Sequence, residues 1–253
     1  LLENTFIHVP GIGQTAERGL WDQGCLSWSH FKGGQGKYSV GSADHDIVRK
    51  RIDSSIKALA DGKHQFFKKG LGMAESWRAF PEFRSSCVYL DIETDGGQRG
   101  ESITTVGMYD GSQFTCLIKG IDLGNFPDLI SHYSMIVTFF GASFDLPMLQ
   151  RRFPLHRFDQ LHIDLCPTLR RLGLRGGLKK IEKDLQIYRG DGVDGLNGQD
   201  AIRLWNRYRN FRDETALEQL IAYNREDVVN LEALTLHAYE RLKKETFGSY
   251  GPN

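Results

Sequence analysis

Charge of one sign is not in excess in this chain: Lys and Arg total 32 and Asp and Glu total 32. Net charge therefore selects no class of partner, and local distribution has to be read instead. No apolar run approaches the ~18 residues a membrane span needs. No basic-then-apolar segment opens the sequence, so no signal peptide is expected. Cysteine is scarce. Cys25, Cys87, Cys116 and Cys166 are far apart and form no C-x-x-C pair. That spacing argues against a zinc site or a disulfide framework and implies reduced thiols in a cytoplasmic protein. Internal repeats, low-complexity tracts and heptads are also missing. With 40% hydrophobic and 25% charged residues, the composition excludes a disordered, collagen-like or coiled-coil chain. The length, 253 residues, suits one large domain with a small appendage.

Three regions differ in pattern. Residues 1–32 carry a short helix–turn–helix pattern around H-V-P-G-I-G-Q-T-A-E-R-G-L-W. The Gly/Ser-rich stretch G-G-Q-G-K-Y-S-V-G-S-A-D reads as a loop. A helix is expected from Asp44 to about Leu59, with Val48, Ile52, Ile56 and Leu59 at helical spacing. A more basic segment, 63–80, follows. From about Ser85 the period changes. In C-V-Y-L-D-I-E-T, Val88, Leu90 and Ile92 alternate with Tyr89, Asp91 and Glu93, which predicts a strand. S-I-T-T-V-G-M-Y-D and S-Q-F-T-C-L-I-K-G come next as a hairpin joined at Asp110-Gly111. M-I-V-T-F-F and L-H-I-D-L are shorter strands. D-L-P-M-L-Q-R-R-F is a helix with Pro147 in its first turn, L-K-K-I-E-K-D-L is another, and a long helix runs from Asp213 to about Lys244. Strands, a hairpin, then alternating helix and strand predict an α/β fold: a mixed sheet flanked by helices, with a small helical N-terminal region.

Asp91 and Glu93 are two apart on a strand, so they share a face while Leu90 and Ile92 take the other. Neighbouring carboxylates repel unless neutralised, and a hard divalent cation is the usual partner. A bare D-x-E is more often a solvated strand end. Taken singly, Asp145 is a helix cap at the M-I-V-T-F-F junction, and Tyr223 and Asp227, four apart on one helical face, are ordinary boundary residues. In chain order, however, they make D-x-E, then F-D at a strand–helix junction, then Y-x-x-x-D on a late helix.

That order, in Y-L-D-I-E-T-D (89–95), F-F-G-A-S-F-D-L-P-M-L-Q-R-R-F (139–153) and A-Y-N-R-E-D-V-V-N-L (222–231), resembles the DEDDy-type 3′–5′ exonucleases of the ribonuclease H-like superfamily. H-I-D-L-C-P-T-L-R-R and G-G-L-K-K-I-E-K-D-L-Q-I are similar to the middle of that family. The resemblance spans about residues 85–240. It implies a five-stranded mixed sheet and a two-metal phosphodiester hydrolase. Asp91, Glu93, Asp145 and Asp227 would hold two divalent cations, Mg²⁺ or Mn²⁺, with Asp91 bridging, and Tyr223 would orient the attacking water. A Tyr of ordinary pKa is a poor base at neutral pH. Asp95 and Asp164 are expected to be structural. The chain departs from the family at Phe140, where Asn often stands and contacts substrate. Histidine, which marks the sibling group, does not replace Tyr223.

The opening P-G-I-G turn resembles a helix-hairpin-helix element, in which backbone N–H groups at a helix start meet a nucleic-acid phosphate; Gly11 and Gly13 would permit the approach. A plain turn between packed helices is the alternative. The resulting division is 1–32 hairpin element, 33–84 helical connecting region, 85–245 nuclease domain and 246–253 tail. Arg170, Arg171, Arg175, Lys179, Lys180 and Lys183 form one basic cluster, of which Arg175, Lys179 and Lys180 are the candidates for phosphate contact. Arg203, Arg207, Arg209 and Arg212 flank Trp205, Tyr208 and Phe211, whose Trp205 and Tyr208 are expected in the core. The partner expected is nucleic acid, single-stranded or 3′-overhang DNA or else RNA, and no membrane. An endonuclease of the same fold and a non-catalytic nucleic-acid-binding module are the competing readings. Oligomeric state has no signature.

Overall fold

Glycine and proline punctuate the first 84 residues, and the helices between them are short. In the computed structural model, which describes residues 1–190, 192–193 and 195–250, these helices are α1 (Gln14–Asp22), α2 (Trp28–Gly33), α3 (His45–Ala60), α4 (His64–Leu71) and α5 (Phe80–Phe83). Upstream of the Pro10–Gly13 turn there is a single 3-10 turn, Leu2–Asn4. Asp44 caps α3 by accepting from the N–H groups of Asp46 and Ile47. Val48 and Ile52 are buried as the spacing requires, while Ile56 is exposed. Residues 1–84 form one unit together with 159–161 and 239–250.

That unit is held by rings and one buried ion cluster. Trp28 stacks on Phe67 with centroids 6.2 Å apart, and Trp21 meets Phe247 edge-on at 5.0 Å. Phe247 and Tyr250 belong to this packing, since Tyr250 also donates to Asp22. Glu17 accepts from the N–H groups of Phe6 and Ile7 and pairs with Arg78 at 2.8 Å; Arg78 also pairs with Glu75. Burial pushes the Glu17 carboxyl up, and Arg78 opposes that. Breaking such a buried pair leaves a stranded charge and costs about 3–5 kcal/mol.

The second unit, 85–158 with 162–238, contains the sheet. Its strands are β1 (Cys87–Thr94), β2 (Ile103–Tyr109), β3 (Phe114–Ile118), β4 (Met135–Thr138) and β5 (Leu161–Asp164), in the order β3-β2-β1-β4-β5. β1 pairs antiparallel with β2 and parallel with β4, and β2 pairs antiparallel with β3, so the sheet is mixed as expected. The β2–β3 turn forms because Asp110 Oδ1 accepts from Ser112 and Gln113 while Gly111 takes a positive φ of 94°. Six helices complete the chain: α6 (Phe126–Ile130), α7 (Asp145–Arg152), α8 (Leu165–Arg171), α9 (Leu178–Asp184), α10 (Gly198–Phe211) and α11 (Glu214–Phe247). Val88, Leu90 and Ile92 pack with Phe126, Ile130, Met148 and Leu149 on one side of the sheet. On the other, Trp205 and Tyr208 are core residues with Leu217, Leu220 and Tyr223.

One strand is shorter than its apolar run. M-I-V-T-F-F is extended only to Thr138. Phe140 takes a left-handed φ of 67°, and Asp164 accepts from the N–H groups of Phe140 and Ala142, which turns the chain out of the sheet. No helix among the described residues is long and apolar enough to cross a membrane, and all four cysteines are free thiols.

Candidate active site

β1 places Asp91 and Glu93 on one face by its two-residue period. Opposite Asp91 on β2 is Gly107. A Cβ there would lie 2.8 Å from Val228 Cγ2 and closer still to the Asn224 amide. The missing side chain therefore lets α11 settle directly on the strand pair. Helical spacing then sets Tyr223, Asn224 and Asp227 together over the carboxylates of β1. Ligand oxygens of Asp91, Glu93 and Asp227 all lie within 4.8 Å of one another.

Asp145 joins from the other neighbour of β1. β4 pairs with β1 only through residues 87–89 of β1, so β4 offers no partner to the N–H of Ile92. Asp145, first residue of α7, takes it: Oδ1 accepts from Ile92 N at 3.1 Å. Asp145 is thereby fixed between the two acids of β1, although it is outside the tight three-oxygen group. Asn224, fully buried, donates to Asp91 Oδ2 at 3.0 Å.

Few cations face these four acids. Arg189 Nη2 pairs with Asp227 Oδ1 at 2.5 Å. Lys179 on α9 donates to the Tyr223 hydroxyl at 3.2 Å, lies over its ring, and also reaches the Leu196 carbonyl. Burial, followed by Asp145, Glu93 and Asp227, holds the Asp91 carboxyl well above the ordinary range. Burial and then Asp227 and Asp145 do the same to Glu93, against Lys179 and Arg189. Burial pushes Asp145 up to about 7. Asp227 is raised by burial, with Arg189 pulling it back. Tyr223, hydrogen-bonded to Asp227, is raised by burial and by the surrounding acids and stays a phenol at neutral pH. Four carboxylates, Glu93, Asp145 and Asp227 buried and Asp91 half-buried, resist ionisation because they are desolvated and crowd one another, and they form a hard oxygen donor set. That set fits a divalent cation, whose binding requires them deprotonated.

The other expected site residues have surroundings of their own. Lys180 pairs with Asp184 at 2.5 Å on the exposed side of α9. Arg175 is in the loop before α9, in a recess with Cys166, Arg170 and Leu174. Gly11, with a φ of 83°, and Gly13, preceding α1, are in the N-terminal unit. Of the second basic cluster, Arg203 pairs with Asp200 and Arg207 with Asp213. Asp164 caps α8 and holds 140–142, and Asp95 accepts from Gly97 within its own turn. Asn224, Arg189, Glu182 and Gly107 have no motif to mark them. Only Gly107 leaves a local signal, a glycine interrupting an apolar strand, which marks close approach of another element.

A comparison with known families agrees with this geometry. The description of the matching family is the RNase_H superfamily, and its match covers residues 88–239. Members of that superfamily are commonly nucleases. No individual curated protein matches the chain. The match takes in the whole acidic constellation and more than half the residues, and the chain belongs to the RNase H superfamily.

Proposed function

We propose that this chain is a metal-dependent 3′–5′ exonuclease of the DEDDy type, hydrolysing phosphodiester bonds of single-stranded or 3′-overhang DNA, or of RNA. The observation that carries the reading is convergence. Residues from β1, α7 and α11, spread over 137 positions from Asp91 to Asp227, meet as four carboxylates with a tyrosine hydroxyl against one of them.

Asp91, Glu93, Asp145 and Asp227 would hold two divalent cations, Mg²⁺ or Mn²⁺, which when bound stabilise charge on the attacking and leaving oxygens and acidify a bound water. The remaining steps belong to the protein. Asn224 holds Asp91 by one oxygen and leaves the other for ligation. Tyr223 keeps its proton, so it orients the attacking water by hydrogen bonding and does not act as a base. Lys179, beside Tyr223, offsets the charge of the scissile phosphate. Water adds across the P–O3′ bond, releasing a nucleoside 5′-monophosphate and a new 3′-hydroxyl.

One feature supports an unpaired substrate, and a second supports nucleic acid in general. Phe140 and Phe144, 52% and 38% exposed, flank the segment that delivers Asp145, and exposed rings stack on bases without sequence preference. In the N-terminal unit, Gly11, Gly13, Arg51 and Lys69 line one recess of about 550 Å³ at the uncapped start of α1, a setting that suits a phosphate.

The test uses 5′-labelled DNA and RNA strands with and without Mg²⁺ or Mn²⁺, beside Asp91→Ala. A metal-dependent ladder shortening from the 3′ end, and lost in the variant, is expected. Discrete internal cuts point instead to an endonuclease. Binding without cleavage points to a non-catalytic module.

A further inference from the structure

Arg189 is an unusual neighbour for a metal ligand. Its side chain is only 5% exposed and lies in the segment after α9, far in sequence from Asp227. It is gripped from behind. Glu182 on α9 accepts from Arg189 Nε at 2.7 Å and from Nη2 at 2.9 Å, a fork-to-fork pair. Glu182 is itself buried and is held by Asn230 Nδ2 at 3.0 Å. The next residue, Gly190, donates its N–H to Glu226. The segment 189–190 is thus tied to three residues of α11, directly to Glu226 and Asp227 and through Glu182 to Asn230.

These contacts have two consequences. Arg189 Nη2 meets Asp227 Oδ1, so that carboxylate is held at one oxygen. The charge of Arg189 is also balanced by Glu182, so the pair adds no net charge to the acidic centre. A residue serving only as counter-charge would not need its own buried partner. A fork locked on one side and hydrogen-bonded on the other fixes orientation, as carboxylate and histidine partners do for ligands in metal sites.

We propose that Arg189, clamped by Glu182, is a positioning residue that holds the Asp227 carboxylate in the orientation needed to ligate a divalent cation. This rests on the metal-dependent reading above.

The test is Mn²⁺ binding to the nucleic-acid-free full chain, monitored by electron paramagnetic resonance of free Mn²⁺. The variants are R189K and the charge-neutral pair E182Q/R189M, each checked for folding by circular dichroism. The double variant should bind Mn²⁺ about tenfold more weakly. R189K, which keeps the charge but loses the fork, should fall between it and the wild type. In cleavage assays the half-saturating metal concentration should rise, with kcat largely recovered at high metal, a split that a general loss of structure does not produce. Unchanged or tighter Mn²⁺ binding in a folded double variant overturns the proposal, since Arg189 then merely competes with the cation. No Mn²⁺ binding by the wild type overturns the metal-dependent reading, and this inference with it.

Discussion

At the scale of single residues, Phe140 is the clearest departure from local preference. A bulky side chain at a φ of 67° is strained by roughly 1–2 kcal/mol, and this ring gains little burial in return. The strain is maintained by Asp164, which takes the N–H groups on either side of Gly141. Strain held this way by a remote side chain is a recurring feature of binding and active sites. Phe140→Gly should therefore leave stability within about 1 kcal/mol of the wild type, because relief of strain offsets the added chain entropy. The same change should weaken binding of a single-stranded oligonucleotide by about 1–3 kcal/mol, measured by fluorescence anisotropy in Ca²⁺ to prevent cleavage. A variant that unfolds early yet binds normally would make the ring structural. The sequence marks Phe140 as a departure from a familial pattern, but its backbone conformation and its tether to Asp164 depend on a residue 24 positions away.

At the scale of elements, the site depends on how closely α11 lies on β1 and β2. Gly107 sets that distance, since its missing Cβ leaves room for Asn224 and Val228. Gly107→Val should lift the helix, destabilise the protein by about 1–3 kcal/mol through overpacking, and abolish cleavage because Asp227 and Tyr223 move with the helix. Urea unfolding measures the first effect and the strand assay the second. Near-normal cleavage in this variant would mean that α11 can shift without disturbing the acids. Local periodicity predicts each of these elements well. Two-residue alternation marks β1, Asp110-Gly111 marks the hairpin, and apolar spacing marks α11. It overextends β4 because an apolar run shows where a strand can be, not where a remote carboxylate removes its ladder N–H groups.

At the scale of the whole molecule, the acidic centre makes stability depend on pH and metal together. Asp91, Glu93, Asp145 and Asp227 all have folded pKa values above their unfolded ones. Without metal, the stability they contribute is present below about pH 4. It is lost as pH rises through the folded values, which for Asp145 is about 7. Cation binding requires the deprotonated forms, so Mg²⁺ should stabilise more at pH 8 than at pH 5.5. At a hundredfold excess over Kd the gain at pH 8 is about 2.7 kcal/mol. Thermal melts with and without Mg²⁺ at the two pH values measure it. Equal shifts at both would mean that these acids are not the binding groups. His8 acts in the opposite sense. Burial holds its pKa down to about 3, so its contribution is present above about pH 6.5 and lost as pH falls. Because Mg²⁺ leaves that term unchanged, the difference between paired melts isolates the carboxylates.

Sequence alone determined the features that short-range geometry sets. A period of two put Asp91 and Glu93 on one face, and a spacing of four put Tyr223 and Asp227 on one helical side. The chain order of these groups was enough to identify the fold class and the superfamily to which the family comparison assigns residues 88–239. Tertiary structure decided the partners of each acid. Asn224 meets Asp91 across 133 positions, Asp145 reaches the N–H of Ile92 across 53, and Arg189 joins Glu182 to Asp227. None of these pairs obeys a helical or strand period. Each exists because burial leaves a polar group that must find a partner in space, and only the folded chain determines which partner is within reach.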